Sequence, residues 1–89
     1  MEINEIRSRI DEVDERLLEA FLERMRLAEE IAEYKQQNKL PLVNEAREQE
    51  VLQKMQEHSG EYAQYTHEFF STLIEISKER QRELFPDLI

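Results

Sequence analysis

From Asn4 to about Asn38 the chain meets neither Gly nor Pro, and Ile3, Ile6, Ile10, Val13, Leu17, Leu27, Ile31 and Tyr34 recur at helical spacing. This run predicts one amphipathic helix of about nine turns, ~50 Å long. Such a length is unusual for a small domain and reads as a dimer-forming or coiled-coil element. Leu18, Phe21, Leu22, Met25 and Ala28 widen the apolar stripe at its middle, so the centre should be covered on more than one side.

With 89 residues there is room for a single domain, spanning 1–89. A chain of that size buries only roughly two-thirds of its unfolded surface, so a second copy is a natural source of core. One Gly and two Pro leave little with which to build tight hairpins or Gly-rich phosphate loops, which makes an all-α fold the expectation. No Cys is present, and the two His, His58 and His67, read as surface residues, so metal or covalent chemistry is not expected. The opening residues Met1-Glu2-Ile3-Asn4-Glu5 lack a signal-peptide pattern, and no apolar run approaches the ~20 residues of a membrane span. A cytoplasmic protein is expected. The net charge of −9 repels nucleic acid and anionic membranes, which leaves the few cations to be explained.

Pro41 breaks the first helix, because it disfavours helix in the residue before it and offers no amide donor. Asn44 then reads as an N-cap with Glu45 in the first turn of a second helix, which runs to about His58 on an apolar face of Val51, Leu52 and Met55. Ser59-Gly60 ends it. A third helix, from about Glu61 to Glu83, carries Tyr62, Tyr65, Phe69, Phe70, Leu73, Ile74 and Ile76, and Pro86 closes the chain. The layout is a long, a short and a medium helix.

Polar residues interrupt these stripes at telling places. Arg24 stands in the seven-residue series Ile3, Ile10, Leu17, Arg24, Ile31, where a buried guanidinium needs a pair or an anionic ligand. Lys35 is eleven residues further on, within roughly 20° of Arg24 on the same face. Arg7 lies near that face too, but about 42 Å from Lys35 along one straight helix. The two can meet one small molecule only across chains. If two copies cross antiparallel near Leu17 and Leu18, Arg7 of one falls opposite the stretch between Arg24 and Lys35 of the other, giving two equivalent cationic pockets. Arg47 and Glu48 begin the inner face of the second helix. Ser77, Arg80 and Gln81 turn the seam of the third helix polar, with Ser77 and Gln81 one turn apart. Each position also has a structural reading: Arg24 as a register device paired with a carboxylate, Lys35 and Glu48 as partners of helix dipoles, Ser77 and Gln81 as a helix emerging into solvent.

The ordered set Arg7, Asp14, Leu17, Leu18, Arg24, Lys35, Pro41, Asn44, Arg47, Glu48, Ser77 and Gln81 resembles the all-helical AroQ class of chorismate mutase. Residues 6–18 are close to that family's opening and Glu45-Ala46-Arg47-Glu48 to the start of its second helix, and the likeness covers nearly the whole chain. The resemblance implies an intertwined homodimer with active sites shared between chains, acting on chorismate without cofactor or metal. The reaction is the Claisen rearrangement to prephenate on the way to phenylalanine and tyrosine. It further implies that Lys35 and Gln81 are the catalytic donors to the breaking ether. Arg24, Arg47 and the partner's Arg7 would hold the carboxylates with help from Ser77, and Glu48 would accept from the ring hydroxyl. Asn44 stands where relatives often carry Asp. Two alternatives remain: an isochorismate-pyruvate lyase of the same fold, and a non-catalytic helical dimerisation module whose inward cations pair with Glu.

Overall fold

The computed structural model describes residues 2–89; Met1, counted above in the domain and the leader reading, lies outside them. Three α-helices make up most of it: α1 (Ile3–Asn38), α2 (Glu45–Glu57) and α3 (Ala63–Leu84), with a 3-10 turn at Gly60–Tyr62 leading into α3. The described residues contain no strand, and the all-α expectation holds.

The ends of the helices follow from local chemistry. Lys39 adopts the left-handed conformation at φ 56°, and the Leu40 amide donates back to the Lys35 carbonyl at 2.9 Å. This is the hydrogen bond of a Schellman stop, made here without glycine, and Pro41 follows where the helix has already ended. Asn44 caps α2 as anticipated, its side chain accepting from the Arg47 amide at 3.0 Å. Gly60 supplies φ +56° after α2. Beyond α3 the chain turns at Phe85, and the Ile89 carbonyl accepts from the Leu42 amide at 2.9 Å. Leu88 and Leu42 are both buried at this junction. The tail thus holds the loop that links α1 to α2, a role not read from Pro86.

α3 packs along the C-terminal half of α1 and against α2. On α1 the buried residues are Ala28 and Ala32, small side chains that let the helices approach closely. Leu52 of α2 and Ile74 of α3 complete this layer, and an Arg80–Glu29 ion pair at 2.8 Å joins α3 to α1 at its edge. The apolar stripe of the first half of α1 has no cover from its own chain: Ile3, Ile6, Ile10, Val13 and Leu17 are 42–57% exposed. The molecule is accordingly elongated, 54 × 24 × 14 Å, with a radius of gyration of 16.1 Å where a compact chain of this length has ~12 Å. Its accessible surface is 7294 Å². A compact monomer of this mass exposes ~5,500 Å².

Candidate functional site: a cationic cavity between the three helices

A cavity of about 270 Å³ opens where the three helices meet. Each helix lines it with one inward stripe. α1 contributes Arg24, Ala28, Ile31 and Lys35, spaced by three and four residues; α3 contributes Ile74, Ser77, Lys78 and Gln81 on the same rule. The cap of α2 orients the third wall, which is Asn44, Arg47, Glu48 and Val51, and Leu42 closes the loop side. Ile31, Val51 and Ile74 make apolar ground on which the charged groups are set.

The two α1 cations are held by neutral oxygens. Arg24 Nη1 donates to Ser77 Oγ at 2.6 Å. Lys35 Nζ donates to the Leu42 carbonyl at 2.7 Å and to Gln81 Oε1 at 3.0 Å. Among the described residues neither is ion-paired, so Arg24 is not the carboxylate-paired register device that a seam position suggests. Burial lowers the Arg24 pKa from its ordinary value, and the nearby Arg47 charge adds to this. Burial likewise lowers that of Lys35; the Glu48 carboxylate opposes the shift but is outweighed, and Lys78 reinforces it. An anion in the cavity would offset this desolvation and repulsion.

Gln81 is 4% exposed, and its side-chain oxygen is used by Lys35. Its NH₂ is therefore what it has to donate. Ser77 accepts from Arg24 and keeps its hydroxyl proton for another acceptor. Arg47 lines the rim, but its guanidinium is 65% exposed and paired with Glu50 at 2.5 Å. The Asn44 side-chain oxygen is used in the cap of α2, so what Asn44 adds at the wall is position more than a free carboxamide oxygen.

Of the residues expected at a site, Arg24, Lys35, Asn44, Arg47, Glu48, Ser77 and Gln81 all line this one cavity. Arg7 does not; it lies on the uncovered half of α1, seventeen residues or about 26 Å before Arg24 along the helix. Lys78 was missed by sequence reasoning. Its signal was its place four residues after Ile74 and three before Gln81, on the stripe already identified. Among the described residues no group of three or more His, Asp or Glu is placed to hold a metal ion, and no helix is long and apolar enough to cross a membrane.

Three helices thus enclose one cavity that carries two α1 cations held by neutral partners. A family model described as chorismate mutase type II matches residues 6–82, and the chain belongs to that family. No curated protein matches the chain. No solved structure matches it either.

Proposed function

We propose that this protein converts chorismate to prephenate, as a homodimer in which each active site takes Arg7 from the partner chain. The observation that carries the reading is the pair of half-buried cations, Arg24 and Lys35, that face one cavity with neutral partners. A dimerisation module has no use for cations left without carboxylates. The cytoplasmic setting and the place in phenylalanine and tyrosine synthesis are part of the same proposal, and rest on the composition of the chain and on the family.

The rearrangement breaks one C–O bond and forms one C–C bond within a single molecule, so no proton, electron or group has to be supplied. What accelerates it is a compact conformer and stabilisation of the negative charge that grows on the ether oxygen. Lys35 and the Gln81 NH₂, joined through Gln81 Oε1, converge as donors for that oxygen. Their bonds strengthen as charge develops, which favours the transition state over the ground state. Arg24 offers a fork for one carboxylate and Ser77, held against it, a hydroxyl donor for the same group. Arg47 joins this wall once it leaves Glu50, an exposed pair of little worth. Glu48 accepts from the ring hydroxyl and selects the face of the ring.

The partner's Arg7 completes the set. In an antiparallel pair of α1 helices crossing between Leu17 and Leu18, Arg7 stands level with Ala28 of the other chain, and Ala28 lines the cavity between Arg24 and Lys35. The exposed stripe from Ile3 to Leu17 and the surplus surface of the single chain support the same pairing.

The test is to incubate the purified protein separately with chorismate and with isochorismate and to identify the products. Prephenate from chorismate is expected. Pyruvate and salicylate from isochorismate, without prephenate from chorismate, would replace the mutase by the lyase.

A further inference from the structure

Lys78 is the cation of the cavity that the proposed chemistry does not use. Its side chain is 11% exposed, and its Nζ lies 3.2 Å from Glu48 Oε1 on α2 and 2.9 Å from Glu75 Oε1 on its own helix. The series Glu75, Lys78, Glu48 therefore runs from the exposed surface of α3 to the wall of the cavity and bridges α3 to α2. An aliphatic side chain at this point of the stripe would fill the space and spare Lys35 the repulsion that Lys78 adds. Something has to offset that cost.

Glu48 is the group that gains. A carboxylate in the wall of a pocket for a dianion repels its ligand, and one with no fixed partner can turn away. An ammonium on one oxygen corrects both faults: it cancels the charge locally and leaves the other oxygen as an acceptor of defined direction. Three N–H donors belong to Lys78, and two carboxylates use two of them.

We propose that Lys78 is a positioning residue that pins Glu48 Oε1, so that Oε2 is presented to the ligand's hydroxyl while the negative charge of Glu48 is masked from its carboxylates. This makes the Lys78–Glu48 pair the element that selects a hydroxylated dianion over one lacking the hydroxyl. The inference rests on the chorismate reading for the identity of the ligand. Lys78 acts through Glu48, and its effect belongs to recognition more than to the bond-breaking step.

A double-mutant cycle tests it, with Lys78→Met, Glu48→Gln and the double variant measured as kcat and KM for chorismate. The same variants are measured as Kd for a hydroxylated bicyclic dicarboxylate that mimics the transition state, and for its analogue without the hydroxyl. Lys78→Met is expected to raise KM and Kd about 10- to 100-fold with a much smaller change in kcat. In the Glu48→Gln background the same substitution should cost little, and Lys78→Arg, which keeps the charge, should recover most of the loss. The preference for the hydroxylated mimic should shrink in Lys78→Met. An equal loss with and without Glu48 overturns the proposal, since Lys78 would then act on its own; so does a loss confined to kcat. Should Lys78→Met fail to fold, Lys78→Gln, which can hydrogen-bond Glu48 without charge, is put through the same cycle with the same criteria. Wild-type protein that leaves chorismate unchanged overturns the mutase reading alone, because the cycle is still read in Kd. Wild-type protein that binds neither mimic overturns both.

Discussion

Lys35 and Gln81 are one unit: the ammonium is held by the Leu42 carbonyl and by the side-chain oxygen of Gln81, the residue with which it shares a target in the proposed reaction. Removing either as Lys35→Ala or Gln81→Ala should lower kcat about 10²–10³-fold, the usual loss for one preorganised donor, in a steady-state assay with chorismate. Lys35 donates to an oxyanion only as the ammonium. Since burial lowers its pKa from 10.5, kcat/KM should fall as pH rises through a value below 10.5, and the alkaline limb of the pH profile locates it. For folding, the same shift has the opposite sign. Between the folded and the unfolded pKa the unfolded chain binds the extra proton, so the contribution of this one group to stability rises with pH across that window. The Arg24–Ser77 bond shows how a seam cation is kept without a carboxylate: a hydroxyl orients it and leaves its charge available.

At the scale of the element, α2 is the part most dependent on its first turn, because three of the residues that line the cavity from it are Arg47, Glu48 and Val51. Asn44→Ala should cost about 1 kcal/mol and raise KM, whereas Asn44→Asp should keep stability close to wild type. Urea unfolding at a fixed protein concentration reads the difference. All three helices were legible in the sequence, since the 3.6-residue period of α1, the Asn44 cap and the breaks at Pro41 and Gly60 are local signals. The left-handed Lys39 and the docking of Leu88 were not: the first is a glycine conformation taken by lysine, and the second is a contact between residues far apart in sequence. Lys78 escaped for a related reason. Its place on the Ile74–Gln81 stripe was readable, but its flanking Glu75 and Glu79 give it the look of a solvated lysine, and its partner Glu48 is thirty residues away in sequence.

For the whole molecule, the first half of α1 is the face on which the proposed dimer rests. Its uncovered aliphatic stripe and the surplus of roughly 1,800 Å² over a compact monomer are of the size that the proposed dimer would bury, counted over both chains. A pair of inactive variants tests the arrangement. Arg7→Ala and Lys35→Ala homodimers should each be nearly inactive, and mixing them under conditions that exchange subunits should restore about one intact site per heterodimer. Heterodimers that form without regaining activity would refute shared sites.

Periodicity, caps and breakers act between residues at most a few positions apart, so the sequence by itself determined the three helices, their order and the inward stripes carrying Arg24, Lys35, Ser77 and Gln81. It also set Arg7 too far from Lys35 on one helix for both to touch one small molecule, because the rise of a helix is a constant. Which stripes face one another depends on the packing of α3 on Ala28 and Ala32 and on the tail that holds Leu42. Only the tertiary structure decided that Arg24 rests on a hydroxyl, that Lys35 and Gln81 are joined, and that Lys78 reaches Glu48. The energy of a buried charge is set by neighbours brought from distant parts of the chain, and spacing along one helix does not contain them.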